Sequence, residues 1–202
     1  MTRITLASAS PRRRELIAHL GVSCTIMPSA FDEESVADSA TPEEYVLAAA
    51  IGKAHDVARH CDGIVIGIDT DVVDPEGMIL GKPSTPEAAR AMLQSLAGRT
   101  HRVLSGVVVA ESAGGNVNRQ STAVVETKVT MAPLDRQAID AYIATGEPFD
   151  KAGGYGMQGG AMPFVTRIDG DPSNVIGIPL WTLAQMLREF DIPLWTREET
   201  NR

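Results

Sequence analysis

The sequence predicts an α/β fold, and three observations carry that expectation. Strand and helix signals alternate through the first half of the chain. One continuous apolar run, Ile64 to Ile68, has the length of a strand buried on both faces. The segment from His101 to Val129 then turns β-rich around a hairpin signal.

Taken in order, Ile4 to Ala7 reads as a short strand. Ser8-Ala9-Ser10-Pro11 leads from it into a helix reaching about Leu20, with Ser10 as N-cap and Pro11 at the first helical position. Cys24 to Met27 is a second short strand, followed by an acidic loop, Phe31-Asp32-Glu33-Glu34. Thr41, Pro42 and Glu44 supply N-cap, first-turn proline and capping-box acid for a helix to about His60. After the buried strand, Thr85-Pro86-Glu87 opens a helix to about Leu96. Two strands flank the turn Ala113-Gly114-Gly115-Asn116, Asp135 to Thr145 is helical, and glycines crowd from Gly146 to Gly160. Pro179 starts a last helix to about Phe190, leaving a loose tail over about 191–202. The 202 residues fit one domain, or two small lobes sharing a core.

Composition narrows the function classes. A net charge of −8 argues against coating nucleic acid, so a pocket for a polyanion must gather its few cations locally. Cys24 and Cys61 stand apart with no CxxC pair, which disfavours a zinc or disulfide framework and suits a reducing compartment. No apolar run approaches a membrane span, and the N-terminus does not read as a signal peptide, so a soluble, cytoplasmic protein is expected.

The chemistry concentrates in a few segments. Arg12, Arg13 and Arg14 occupy a first helical turn, where the dipole favours acids. Arg13 also lies three, four and seven residues before Leu16, Ile17 and Leu20, so it continues their inward stripe. A bound anion would relieve both costs, with Ser8, Ser10 and main-chain N–H as co-donors; the alternative is an internal carboxylate partner for Arg13. Lys53 falls in line with Val46, Ala49, Ala50 and Val57, as a phosphate contact or as a cation reaching past them to water. Asp69 follows the buried strand, where α/β folds collect ligands. It is suited to hold a metal or activate water, or it merely ends a turn. Asp71 and Asp74 make that neighbourhood acidic enough to attract Mg²⁺. Glu33 belongs to a run that is usually a solvated face, Lys82 to a rigid Gly-Lys-Pro turn, and His101 reads as structural. In Phe149 to Gly159, Lys151 offers a cation and Gln158 an amide able to meet a base edge. Neither GxxxxGK[ST] nor GxGxxG is present.

Together these segments resemble the Maf family of nucleotide pyrophosphatases from about Ile4 to Leu187. The matching stretches are LASASPRRRELI, DEES, IGKA, VIGIDT, GKP, LAGRTHRV to SGVVV, GEPFDKAGGYGMQG and SNVIGIPL. The resemblance implies an ITPase-like mixed, curved sheet flanked by helices, two lobes with a central cleft, and a homodimer. It implies hydrolysis of nucleoside triphosphates to monophosphate and pyrophosphate with Mg²⁺ or Mn²⁺, and places Ser8, Arg13, Glu33, Lys53, Asp69, Lys82 and Lys151 at the catalytic and phosphate-binding positions. Asp69 matches the proton acceptor and, with Glu33, would hold the metal. Arg12, Thr70 and Gln158 match the positions that separate specificity groups, in the combination similar to members acting on dTTP and UTP. One departure stands out: the family commonly reads Ala-Asp-Thr-Val-Val, whereas here Ile68 precedes the acid, Asp71 follows Thr70, and Lys82 lies one residue further on. A bulge at the strand end or a metal-binding Asp71 would account for it. The rivals are a non-catalytic nucleotide-binding regulator of cell division, and the same chemistry on modified purine or 7-methyl-GTP substrates.

Overall fold

Short apolar runs and long alternating ones build a single mixed sheet that carries every element near the cleft. The computed structural model describes residues 2–36 and 41–195. Among them the strands are β1 (Ile4–Ala7), β2 (Thr25–Ile26), β3 (Gly63–Val73), β4 (Ile79–Leu80), β5 (Thr100–Ala113), β6 (Asn116–Met131) and β7 (Val165–Asp169). The helices are α1 (Pro11–Ala18), α2 (Pro42–Ala58), α3 (Pro86–Leu96), α4 (Arg136–Ile143), α5 (Pro172–Ile176) and α6 (Leu180–Glu189). The strand order is β2-β1-β3-β5-β6-β7, with β4 added to β3. β2, β1 and β3 run parallel, and every other pair is antiparallel.

Helix starts follow their local chemistry. Ser10, Thr41, Thr85 and Asp135 each accept a backbone N–H at the first turn, and Thr41 with Glu44 completes a capping box. The β5–β6 turn places Gly114 and Gly115 at φ 60° and 78°, the left-handed pair that a two-residue hairpin requires.

β3 runs on to Val73 and does not stop before Asp69, as the sequence alone suggests. Its ladder with β5 is unbroken from Gly63↔Ser112 to Val73↔Arg102, so the expected bulge is absent there. Beyond β3 the Asp74 N–H donates to the Met78 carbonyl at 2.9 Å and closes the turn into β4. Strand β7, the short α5 and the two-residue β4 have no counterpart in the sequence reading. The tail read as loose from about 191 is tethered as far as Trp195: its main-chain N–H donates to the Leu20 carbonyl at 2.8 Å and its indole N–H to His19 at 3.1 Å. The rest of that tail lies outside the described residues.

The apolar interior divides. One large cluster joins β1, α1 and α6 through Leu6, Ile17, Ile66, Ile178 and Leu187. Another joins α3, α4 and the far ends of β5 and β6 through Leu93, Leu96, Val129, Met131 and Ile139. Alanine-rich α2 covers the opposite face of β3 and β5. It lies flush because Gly67 and Gly106 present no side chain. A Cβ on Gly67 would stand 2.3 Å from the Ala50 carbonyl oxygen, and one on Gly106 2.1 Å from that of Val46. Gly67→Ala is therefore expected to cost about 1–3 kcal/mol through overpacking against rigid backbone. Urea denaturation measures it, and an unchanged midpoint would show that α2 is not seated on that glycine. No helix among the described residues is long and apolar enough to cross a membrane.

Candidate active site

β5 covers one side of β3 along its whole length. On the other side β1 ends at Ala7↔Gly67, and β4 begins at Val72↔Leu80. Asp69, Thr70 and Asp71 fall in the gap, with no strand beside them on that side. Asp69 is thus mid-strand in β3 but just past the carboxyl end of β1, which is where the α/β rule places ligands. A cleft of about 570 Å³ opens at this gap, and Ser10, Arg12, Arg13, Glu33, Lys53, Asp69, Thr70, Asp71, Lys82, Lys151 and Gln158 all line it.

Period-two alternation sends the β3 side chains in the gap to opposite faces. Thr70 points toward α1 and meets Arg13. The Arg13 guanidinium donates to the Gly177 carbonyl at 2.9 Å, the Ser8 hydroxyl at 3.3 Å and the Thr70 hydroxyl at 3.1 Å. All three acceptors are neutral, and Arg13 makes no ion pair among the described residues. The expected alternative, a carboxylate partner, is absent. Burial pushes the Arg13 guanidinium below its ordinary pKa, and the charges of Asp69 and Glu33 act against that shift. Three neutral acceptors fix the fork and leave its charge available to an anion.

Asp69 faces α2 instead. Lys53 Nζ, one of the least exposed cations, contacts Asp69 Oδ1 at 2.6 Å and Glu33 Oε1 at 2.7 Å. Lys53 does not reach past its apolar neighbours to water. Asp69 is 5% exposed, and its Oδ2 is buried without a hydrogen-bond partner. An orphaned carboxylate oxygen is costly unless a ligand satisfies it. The donor set, oxygen atoms from acids, suits a hard divalent cation. Among the described residues no group of three or more His, Cys, Asp or Glu forms a ready cage. Asp71 shares the face of Asp69; burial, then the charges of Asp69 and Glu33, push its carboxyl up to about 7. Tyr45 is pushed up to about 12 by burial and the same acids.

The glycine-rich segment closes the cleft. Arg12 pairs with Asp150 at 3.1 Å, and Lys151 Nζ reaches Asp150 and the Glu147 carbonyl. Glu147 holds the stretch that bears Gln158: its carboxylate accepts from the Gly160 N–H at 2.8 Å and the Tyr142 hydroxyl at 3.0 Å. Gly159 has no room for a side chain there, since a Cβ would sit 2.1 Å from Glu147 Oε1. His101 is structural, as expected: it is buried, bonds the Tyr155 hydroxyl at 2.7 Å, and burial holds it down at about 4, hence neutral.

The structure brings every proposed site residue to one cleft, Ser8 through its bond to Arg13. The Thr70 hydroxyl contacts Arg13, Ser105 at 2.8 Å and the Gly177 carbonyl at 3.3 Å, so it braces Arg13. Glu33 and Asp69 each give an oxygen to Lys53. Missed from the sequence were Tyr45, Ser105, Glu147, Asp150, Tyr155 and the Gly177 carbonyl. Asp150 beside Lys151 carried a local signal; a carbonyl and a loop-bracing acid carry none.

Comparison with known proteins bears on the fold and the family. The fold is similar to that of a HAM1 protein from Coxiella burnetii, with a TM-score of 0.52 and 15% identity over 94% of this chain and 100% of that one. Fold and cleft together define an α/β protein of the Ham1 architecture whose cleft gathers cations around one buried acid. Residues 3–190 match the family described as Maf-like protein. A protein of Moorella thermoacetica named dTTP/UTP pyrophosphatase is 46% identical over 98% of this chain and 100% of its own length. One of the same name from Symbiobacterium thermophilum is 43% identical over 97% and 98%. The chain belongs to the Maf family.

Proposed function

We propose that this protein is a nucleoside triphosphate pyrophosphatase that converts dTTP and UTP to the monophosphate and pyrophosphate. The observation that carries this reading is the pairing, in one cleft, of a guanidinium held only by neutral acceptors with a buried acid whose second oxygen is free. A triphosphate chain satisfies the first, and an attacking water the second. The names of the relatives support the choice of pyrimidine substrates.

Lys53 fixes Asp69 through Oδ1, leaving Oδ2 to orient a water and accept its proton. The water oxygen bonds to the α-phosphorus, the bond from that phosphorus to the bridging oxygen breaks, and pyrophosphate leaves. Arg13, Lys82 and Lys151 stabilise charge on the departing oxygens, which is usually the main protein contribution to phosphoryl transfer. A divalent cation, Mg²⁺ or Mn²⁺, would be held by Asp69 with Glu33 nearby and would neutralise triphosphate charge. Gln158 lines the cleft on the loop that Glu147 braces, which supports it as the group that meets the base.

A nucleotide panel tests the assignment. Pyrophosphate release with Mg²⁺ is expected to give kcat/KM values for dTTP and UTP above those for ATP, GTP, 7-methyl-GTP and modified purine triphosphates. Binding without release would favour a nucleotide-binding regulator, and preference for 7-methyl-GTP would reassign the base contacts.

A further inference from the structure

The Asp69-Thr70-Asp71 step places two carboxylates on one face of β3, opposite Gly106 and Leu104 of β5 and beneath α2. They stand where β3 has no strand on its other side. Asp69 is 5% exposed, lines the cleft and has an Oδ2 with no hydrogen-bond partner. Asp71 is half-buried and lines the same cleft, and its carboxylate makes no hydrogen bond or ion pair among the described residues. Among the described residues Lys53 contacts Asp69 Oδ1 and Glu33, Arg12 contacts Asp150, and Arg13 contacts three neutral oxygens, so none of them contacts the Asp71 carboxylate. The two carboxylates repel one another; Lys53 and Arg13 offset part of that charge, but among the described residues no cation or donor contacts the Asp71 carboxylate or Asp69 Oδ2.

We propose that Asp71 joins Asp69 in a two-carboxylate seat for a divalent cation, occupied before a nucleotide arrives. Two acids without a third protein ligand match the habit of Mg²⁺ and Mn²⁺, which keep several waters and take phosphate oxygens when these are present. The seat therefore holds the cation modestly by itself and more tightly once a triphosphate completes the shell. This deepens the pyrophosphatase reading, on which it rests for those phosphate oxygens. Asp71 becomes a cation ligand, while Glu33 serves chiefly to hold Lys53.

The test is direct Mn²⁺ binding to the full chain, followed by the electron paramagnetic resonance signal of free Mn²⁺. Wild type, Asp71→Asn, Asp71→Val and Asp69→Asn are compared without nucleotide and with the non-hydrolysable α,β-imido analogue of dUTP. Wild type is expected to bind Mn²⁺ in both conditions, and both Asp71 variants to bind it about tenfold more weakly or worse. Asn keeps the shape of the side chain, and Val suits a strand, so at least one variant retains the wild-type circular dichroism spectrum. Equal Mn²⁺ binding by wild type and the Asp71 variants overturns the seat, as does absence of Mn²⁺ binding without nucleotide. Pyrophosphate release measured in parallel separates the two readings. Release together with Asp71-independent binding removes only this inference; Asp71-dependent binding without release from any nucleotide removes only the activity.

Discussion

Asp69→Asn is expected to lower pyrophosphate release by on the order of 10²-fold or more, the scale on which a single preorganised catalytic group acts. The amide preserves volume and can still accept a hydrogen bond from Lys53 Nζ, now 2.6 Å from Oδ1. What disappears is the second carboxylate oxygen, buried without a hydrogen-bond partner in a residue that lines the cleft. An amide in its place cannot take a proton from water. Nucleotide binding measured without divalent metal should survive, because the protein cations that meet the phosphates are untouched, and Lys53 keeps Glu33 at 2.7 Å. Single-turnover release and equilibrium binding of the imido analogue measure the two halves separately. A variant that turns over within a few-fold of wild type would remove Asp69 from the chemistry.

Arg13→Met should lower kcat/KM by a similar order, about 10²-fold, while changing thermal stability little. Two effects on stability oppose one another. Removing a half-buried charge that lacks a carboxylate partner relieves a desolvation cost. Losing its bonds to the Gly177 carbonyl, Ser8 and Thr70 works the other way; each acceptor keeps a second partner, so the loss is the net worth of the bonds, about 0.5–1.5 kcal/mol apiece. Arg13→Lys keeps the charge but cannot bond three divergent acceptors and still present its charge in the same place, so it should recover little activity. Kinetics read beside a melting curve decide the issue. A large fall in melting temperature with near-normal kcat/KM would make Arg13 a structural brace.

Much of this site was legible because charged side chains broke apolar patterns. Arg13 sits in the Leu16, Ile17, Leu20 stripe and Lys53 in that of Val46, Ala50 and Val57, and both serve the cleft. Helix starts were equally legible, since Ser10, Thr41, Thr85 and Asp135 act through bonds within one turn. The extent of β3 was not. Polar Asp69 and Asp71 read as a strand end, yet the β5 ladder continues beneath them because their side chains leave the main chain free to pair. β7 escaped because Val165-Thr166-Arg167-Ile168-Asp169 is short and largely exposed, so no apolar face announces it. Glu147 escaped for a different reason. Its partners are a tyrosine and the main chain of a loop, and nothing in residue order says which carboxylate a distant glycine will find. The bracing of Arg13 by Thr70 was not legible because Arg13 and Gly177, far away in sequence, converge on its hydroxyl.

The interruption between β1 and β4 has a consequence for how such a protein can vary. A pocket made where two short strands fail to meet owes its floor to β5 and its walls to separate helices and loops, so no rung of the ladder has to break to remodel it. Lengthening β1 by a few residues would seal the opening with protein. Keeping it short turns an incomplete sheet into a socket whose missing rung is supplied by whatever polyanion docks there.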